Sequence, residues 1–163
     1  MWGLPNGPYV EPYHQLNHRP PPAYLTLMLT AAERTALEEA LRDDDTVVLA
    51  YLFGSHAQNR ASEQSDIDVA VLTESPQNKL RQIVDLKTKL EAHLDREVDV
   101  TLVPVRGTDP RLLNQVLQHG QLLYARDEDT RIDFETSARS KYLDMKPHID
   151  EYHRRVKKRL LHD

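Results

Sequence analysis

Residues 46–53, TVVLAYLF, form an unbroken β-branched and aromatic run after a first threonine. Such a run predicts a buried strand. A second follows at residues 66–72, DIDVAVL, and a third at residues 97–103, EVDVTLV. The third alternates, with Glu97, Asp99 and Thr101 on one face and Val98, Val100 and Leu102 on the other. Between these runs the period changes. Over residues 78–94, Leu80, Ile83, Val84, Leu90 and Leu94 recur at helical spacing. TAAE at residues 30–33 is a capping-box pattern that starts a helix, and RDDD at residues 42–45 is the charged turn that ends it. Residues 55–61, SHAQNRA, read as a short helix or turn.

Asp109-Pro110 opens a further helix with proline at its tolerated first position, and Gly120 closes it. QLLYA, directly afterwards, predicts a short edge strand. Residues 130–161 read as helical with a break at Pro147, and Ile149, Tyr152, Val156 and Leu160 form an apolar stripe beyond it. The elements sum to an α+β fold, a small mixed sheet backed by helices with a helical C-terminal extension. Three segments result: a flexible Pro-rich arm at 1–24, a folded domain at 25–128 and the helical extension at 129–163. The arm holds six of the ten prolines and shows neither period. The arm reads first as an extension without a function of its own; a partner-binding arm is the alternative, carried by Trp2, Tyr9, Tyr13 and Tyr24.

Charge and composition narrow the function. A net charge of −5 argues against direct nucleic-acid binding, which needs basic surface. The absence of cysteine excludes disulfides and thiolate chemistry. No run approaches a membrane span, and the N-terminus lacks the basic flank and apolar core of a signal peptide, so the chain reads as cytoplasmic. The eight histidines show no zinc spacing. HRRVKKRL, residues 153–160, reads as a solvated helix end favoured by the dipole.

The chemistry concentrates in residues 51–72. Residues two apart in a strand share a face, so Asp66 and Asp68 project side by side while Ile67, Val69 and Val71 point inward. Two like charges that close repel unless a cation sits between them, and Mg2+ takes carboxylate oxygens while keeping sites for phosphates. A lone Asp-x-Asp would read as two solvated side chains. Here Gly54-Ser55 stands just upstream, at a strand end that opens a helix. Glycine allows close backbone approach, free N–H groups suit a phosphate, and the Ser55 hydroxyl adds a donor. Together the halves make a site for a nucleoside triphosphate. If the second and third strands are neighbours, Asp99 supplies a third carboxylate for two-metal phosphoryl transfer, with Glu97 as its rival on the same face.

Gly-Ser, ten residues, Asp-x-Asp and a later carboxylate resemble the signature of polymerase-β-type nucleotidyltransferases. The similarity covers about residues 46–152, and the chain's length and ending resemble the minimal nucleotidyltransferase branch. The resemblance implies that Asp66, Asp68 and Asp99 hold Mg2+ and carry catalysis. It also implies that Gly54, Ser55, His56 and Ser65 bind the nucleotide, with ATP as substrate. In one departure, His56 stands where arginine commonly follows Gly-Ser, and Arg60 lies further on. Members of this look act as antitoxins beside a HEPN ribonuclease toxin, adding AMP to one of its tyrosines and releasing pyrophosphate. Two alternatives remain open at this point: transfer to a small molecule such as an aminoglycoside, and a non-catalytic antitoxin that neutralises by binding.

Overall fold

Apolar side chains on both faces of one strand require cover on both sides, and the first strand is buried along its whole length. The computed structural model describes residues 29–62, 65–74 and 78–160. The Pro-rich arm at 1–24 lies outside the described residues. Helix α1 spans Ala31–Arg42, followed by β1 (Val47–Phe53), the four-residue α2 (Gly54–Ala57) and β2 (Ile67–Thr73). Then come α3 (Lys79–Leu94), β3 (Val98–Leu102), α4 (Pro110–His119), β4 (Gln121–Ala125) and α5 (Glu128–Leu160). The sheet order is β3-β2-β1-β4. β1 is antiparallel to both β2 and β4, and β2 is parallel to β3. The α+β mixed sheet and the neighbouring second and third strands match the expectation.

Two apolar layers sandwich the sheet. On one face Ile67, Val69, Val71, Val98 and Val100 pack with Leu37 and Leu41 of α1 and Leu86 and Leu90 of α3. On the other, Tyr51, Phe53 and Ala70 pack with Leu113 and Val116 of α4 and Phe134 and Ala138 of α5. Each fully buried leucine of such a core contributes roughly 1.5–3 kcal/mol relative to exposure. α1 starts as its sequence demands: Thr30 accepts from the Glu33 N–H, and Glu33 in turn accepts from the Thr30 N–H. Such a cap contributes about 1 kcal/mol. Asn78 and Asp109 cap α3 and α4, with Pro110 opening α4 as expected.

One reading needs correction, and two gain detail. α3 buries Leu86, Leu90 and Leu94, whereas Leu80 and Val84 are 73% and 52% exposed. Helical spacing identified the helix and part of its buried face, Leu90 and Leu94. α5 runs unbroken through Pro147 for 33 residues. Proline removes one hydrogen bond there, and because the surroundings are exposed, water can serve the carbonyl left over. Of the stripe beyond it, Tyr152, Val156 and Leu160 are exposed, and the sheet is covered by Phe134 and Ala138 in the first half of α5.

Candidate active site

The end of β1 and the starts of β2, β3 and β4 fall at one end of the sheet, because β1 runs against its neighbours there. Phe53 pairs with Asp68, and Asp68 pairs with Asp99. The two carboxylates are thus adjacent in one row, on the face opposite Ile67 and Val69. Asp66 lies one residue before β2 rather than inside it, and it is exposed. Glu97 also precedes its strand; its carbonyl accepts from the Ile67 N–H. The register therefore sets Asp99, not Glu97, beside Asp68.

Gly54 joins this row to the turn. Its φ is +69°, the left-handed region, and a Cβ there would sit 2.1 Å from Oδ2 of Asp68. The Asp68 carboxylate therefore lies directly over the glycine, and no side chain fits between them. Burial first, then the negative charges of Asp99 and Asp66, hold the Asp68 carboxyl above the ordinary carboxylate range, while His56 offsets part of this. Three carboxylates that burden one another in this way are a donor set suited to a hard divalent cation. Among the described residues no group of three or more His, Cys, Asp or Glu forms a ready-made metal cage. This is compatible with an ion that takes much of its coordination from waters and substrate phosphates.

The raised Asp68 carboxyl has a sign-definite consequence. A carboxyl whose folded pKa lies above its unfolded value favours folding below the unfolded value and loses that contribution as pH rises through the folded one. Asp68→Asn should therefore stabilise the metal-free protein at neutral pH. Its advantage over wild type should grow as pH climbs from below about 4, the ordinary aspartate range. Denaturant melts in chelator across that window check this; an advantage that shrinks with rising pH would contradict it.

His56 and Ser65, both assigned to the nucleotide by resemblance, are placed against each other. His56 is 3% exposed, and its Nε2 lies 3.1 Å from the Ser65 carbonyl. The Ser65 hydroxyl accepts from the Ser62 N–H at 2.8 Å. Both side chains are thus engaged within the protein, and the buried His56 ring is turned away from solvent. Arg60 is exposed and hydrogen-bonded to Gln58, and its N–H donates to the Ser55 carbonyl.

Sequence reasoning missed the residues that hold the turn from behind. Glu33 accepts from Arg96 at 3.3 Å, and Arg96 reaches Nε2 of His56 at 3.3 Å. Arg34 donates to Gln121 Oε1 at 2.8 Å, and Gln121 Nε2 donates to the Ala57 carbonyl at 2.9 Å. The first turn of α1 thus buttresses α2 along two routes. Neither has a sequence signal, since the partners lie 40 to 87 positions apart.

Residues 35–129 match the family model described as polymerase beta, nucleotidyltransferase. The protein adenylyltransferase MntA of Shewanella oneidensis is 36% identical over 93 residues, which cover 56% of this chain and 65% of that relative. The chain thus spans less than two thirds of that curated relative. In a crystal structure of a toxin–antitoxin with AMP-PNP, one chain superposes with a TM-score of 0.62 at 30% identity, over 76% of this chain and 98% of that one. One chain of a structure of tri-AMPylated Shewanella oneidensis HEPN toxin in complex with MNT antitoxin superposes with a TM-score of 0.58 at 28% identity, over 77% of this chain and 96% of that one. Among the described residues no helix is long and apolar enough to cross a membrane.

Proposed function

The chain belongs to the polymerase beta nucleotidyltransferase family, and from that premise we propose that it is an antitoxin that transfers AMP from ATP to a tyrosine of a HEPN ribonuclease toxin. The observation that carries this reading is the row Phe53–Asp68–Asp99 with Gly54 pressed against the Asp68 carboxylate. It brings a strand-end turn that opens a helix and paired carboxylates to one sheet end. The likeness to MntA and to toxin–antitoxin structures with AMP-PNP supports the nucleotide and the kind of acceptor.

Asp66, Asp68 and Asp99 would hold Mg2+, which when bound neutralises phosphate charge. The tyrosine oxygen attacks the α-phosphorus, the bond to the bridging oxygen of the β-phosphate breaks, and pyrophosphate leaves. Asp99, exposed beside Asp68, takes the tyrosine proton. The Gly54 backbone gives the triphosphate close approach, and the Ser55 hydroxyl donates to its oxygens. On this assignment Asp99→Asn lowers the transfer rate by about 10²-fold or more, whereas Glu97→Gln leaves it nearly unchanged. The reverse ranking in steady-state rates would show that Glu97 is the base.

The acceptor docks on the exposed half of α5. A groove of about 470 Å³ lies between the first turn of α4 and α5, lined by Pro110, Met145, His148, Ile149 and Tyr152 among others. Its apolar lining continues along the helix as Val156 and Leu160. Lys157 and Arg159 flank that stripe, so the complementary partner surface is apolar with an acidic rim. Incubating the chain with ATP, Mg2+ and its co-encoded toxin should add about 329 Da per AMP to the toxin by intact mass. An unmodified toxin beside a modified aminoglycoside would replace this acceptor with a small molecule.

A further inference from the structure

His56 carries two contacts on one nitrogen. Nε2 lies 3.1 Å from the Ser65 carbonyl and 3.3 Å from Nη2 of Arg96, while Nδ1 is buried with no hydrogen-bond partner among the described residues. One ring nitrogen can donate or accept, not both. If Nε2 accepted from Arg96, Nδ1 would carry a buried proton with no acceptor, and the Ser65 carbonyl would face a lone pair. If Nε2 carries the proton it donates to Ser65, and Nδ1 is left as a bare acceptor. An unpaired buried acceptor is tolerated more readily than an unpaired N–H. Arg96 loses little in that tautomer, because its guanidinium also reaches Glu33 at 3.3 Å.

We infer that His56 is a positioning residue: as the Nε2–H tautomer it ties the Ser65 carbonyl to the helix that begins at Gly54-Ser55, and so fixes Asp66 and Asp68 against that turn. Ten residues separate Ser55 from Asp66 in the chain. Such a length sets no geometry unless its ends are fastened together. The sheet fastens Asp68 through Phe53, and Gly54 abuts its carboxylate. Asp66 lies outside β2 and lacks that support, and Ser65 is its immediate neighbour. On its far side Asp66 is held by the Ile67 N–H bonded to the Glu97 carbonyl; on its near side the hydrogen bond from His56 to Ser65 is the tie to the Gly54-Ser55 turn. Arg96 and Glu33 close the ring from behind and block it from swinging toward α1.

The inference rests on the nucleotidyl-transfer reading, so its test needs a measurement that does not depend on transfer. Three variants separate the hydrogen bond from the bulk of the ring: His56→Gln, whose amide N–H can reach the Nε2 position; His56→Asn, whose amide falls short of it; and His56→Leu, which has none. Mn2+ affinity, read by electron paramagnetic resonance, should fall about tenfold in His56→Asn and His56→Leu and recover in His56→Gln. The turnover number for AMP transfer should fall by about tenfold or more in the same two, with the Michaelis constant for ATP changed much less. His56→Asn should also melt below His56→Gln, because its buried amide and the Ser65 carbonyl lose their partner, so Mn2+ affinity is compared under conditions where both are folded. Should His56→Leu fail to fold, the Asn and Gln pair decides. Equal Mn2+ affinity in that pair would overturn the positioning role. A variant series with the expected Mn2+ ranking, whose wild type modifies no acceptor, would overturn the transfer reading and leave the positioning role standing.

Discussion

Asp66→Asn combined with Asp68→Asn lowers AMP transfer by on the order of 10³-fold or more, the scale of several kcal/mol of lost charge stabilisation at a metal-assisted phosphoryl centre. The fold survives this change. Asp66 is exposed, and the backbone pairing of Asp68 with Phe53 and Asp99 is independent of its carboxylate. Replacing the Asp68 carboxylate also removes a group whose ionised form burial and its neighbouring carboxylates disfavour. The double variant should thus be inactive while melting at or above the metal-free wild type. Labelled ATP with purified toxin gives the first quantity, and melting in chelator gives the second. Transfer within tenfold of wild type by a folded double variant would remove these aspartates from the chemistry.

The second large effect belongs to a residue with no side chain. Gly54→Ala places a Cβ where Asp68 Oδ2 already stands, 2.1 Å away, on a backbone with φ +69°. The carboxylate must move, and the left-handed backbone costs about 1–3 kcal/mol for any residue with a Cβ. Displacing a reacting-centre ligand by about 1 Å costs about 10²-fold in rate. Gly54→Ala should therefore lose both activity and stability. Adding Asp68→Ala, which removes the clashing atoms, should restore part of the stability and none of the activity. If Gly54→Ala alone kept wild-type transfer, the close packing of turn on carboxylate would have no catalytic role.

The strands were legible because their runs are short, β-branched and bounded by turns, and the caps at Thr30 and Asp109 follow from local chemistry alone. The α3 face was only partly legible. Leu80 and Val84 sit at helical spacing as convincingly as Leu86, and only the approach of α1 and the sheet decides which side is buried. Pro147 misled in the opposite direction, since a local rule for helix ends predicts a break that an exposed helix does not need.

At the candidate site, the alternation that put Asp99 on a polar face also put Glu97 there. What separates them is the β2–β3 register, a long-range fact. His56 illustrates the limit most clearly. Its place after Gly-Ser suggested a phosphate contact, yet the structure buries it against Ser65 and Arg96, partners set by chain crossings that no spacing encodes. Arg34 and Gln121, which steady the same turn from β4, left no trace in the sequence for the same reason.

We propose covalent transfer, not occlusion, as the way this chain silences a co-encoded toxin. The most direct test mixes the co-encoded toxin, ATP and Mg2+ with either wild type or the Asp66→Asn, Asp68→Asn double variant at equal concentration, and follows ribonuclease activity together with the intact mass of the toxin. With wild type, activity should fall in step with additions of about 329 Da. With the double variant the mass should stay unchanged and the ribonuclease should remain active, even where the two proteins still form a complex. Equal neutralisation by the double variant, with no mass added, would contradict transfer and establish occlusion.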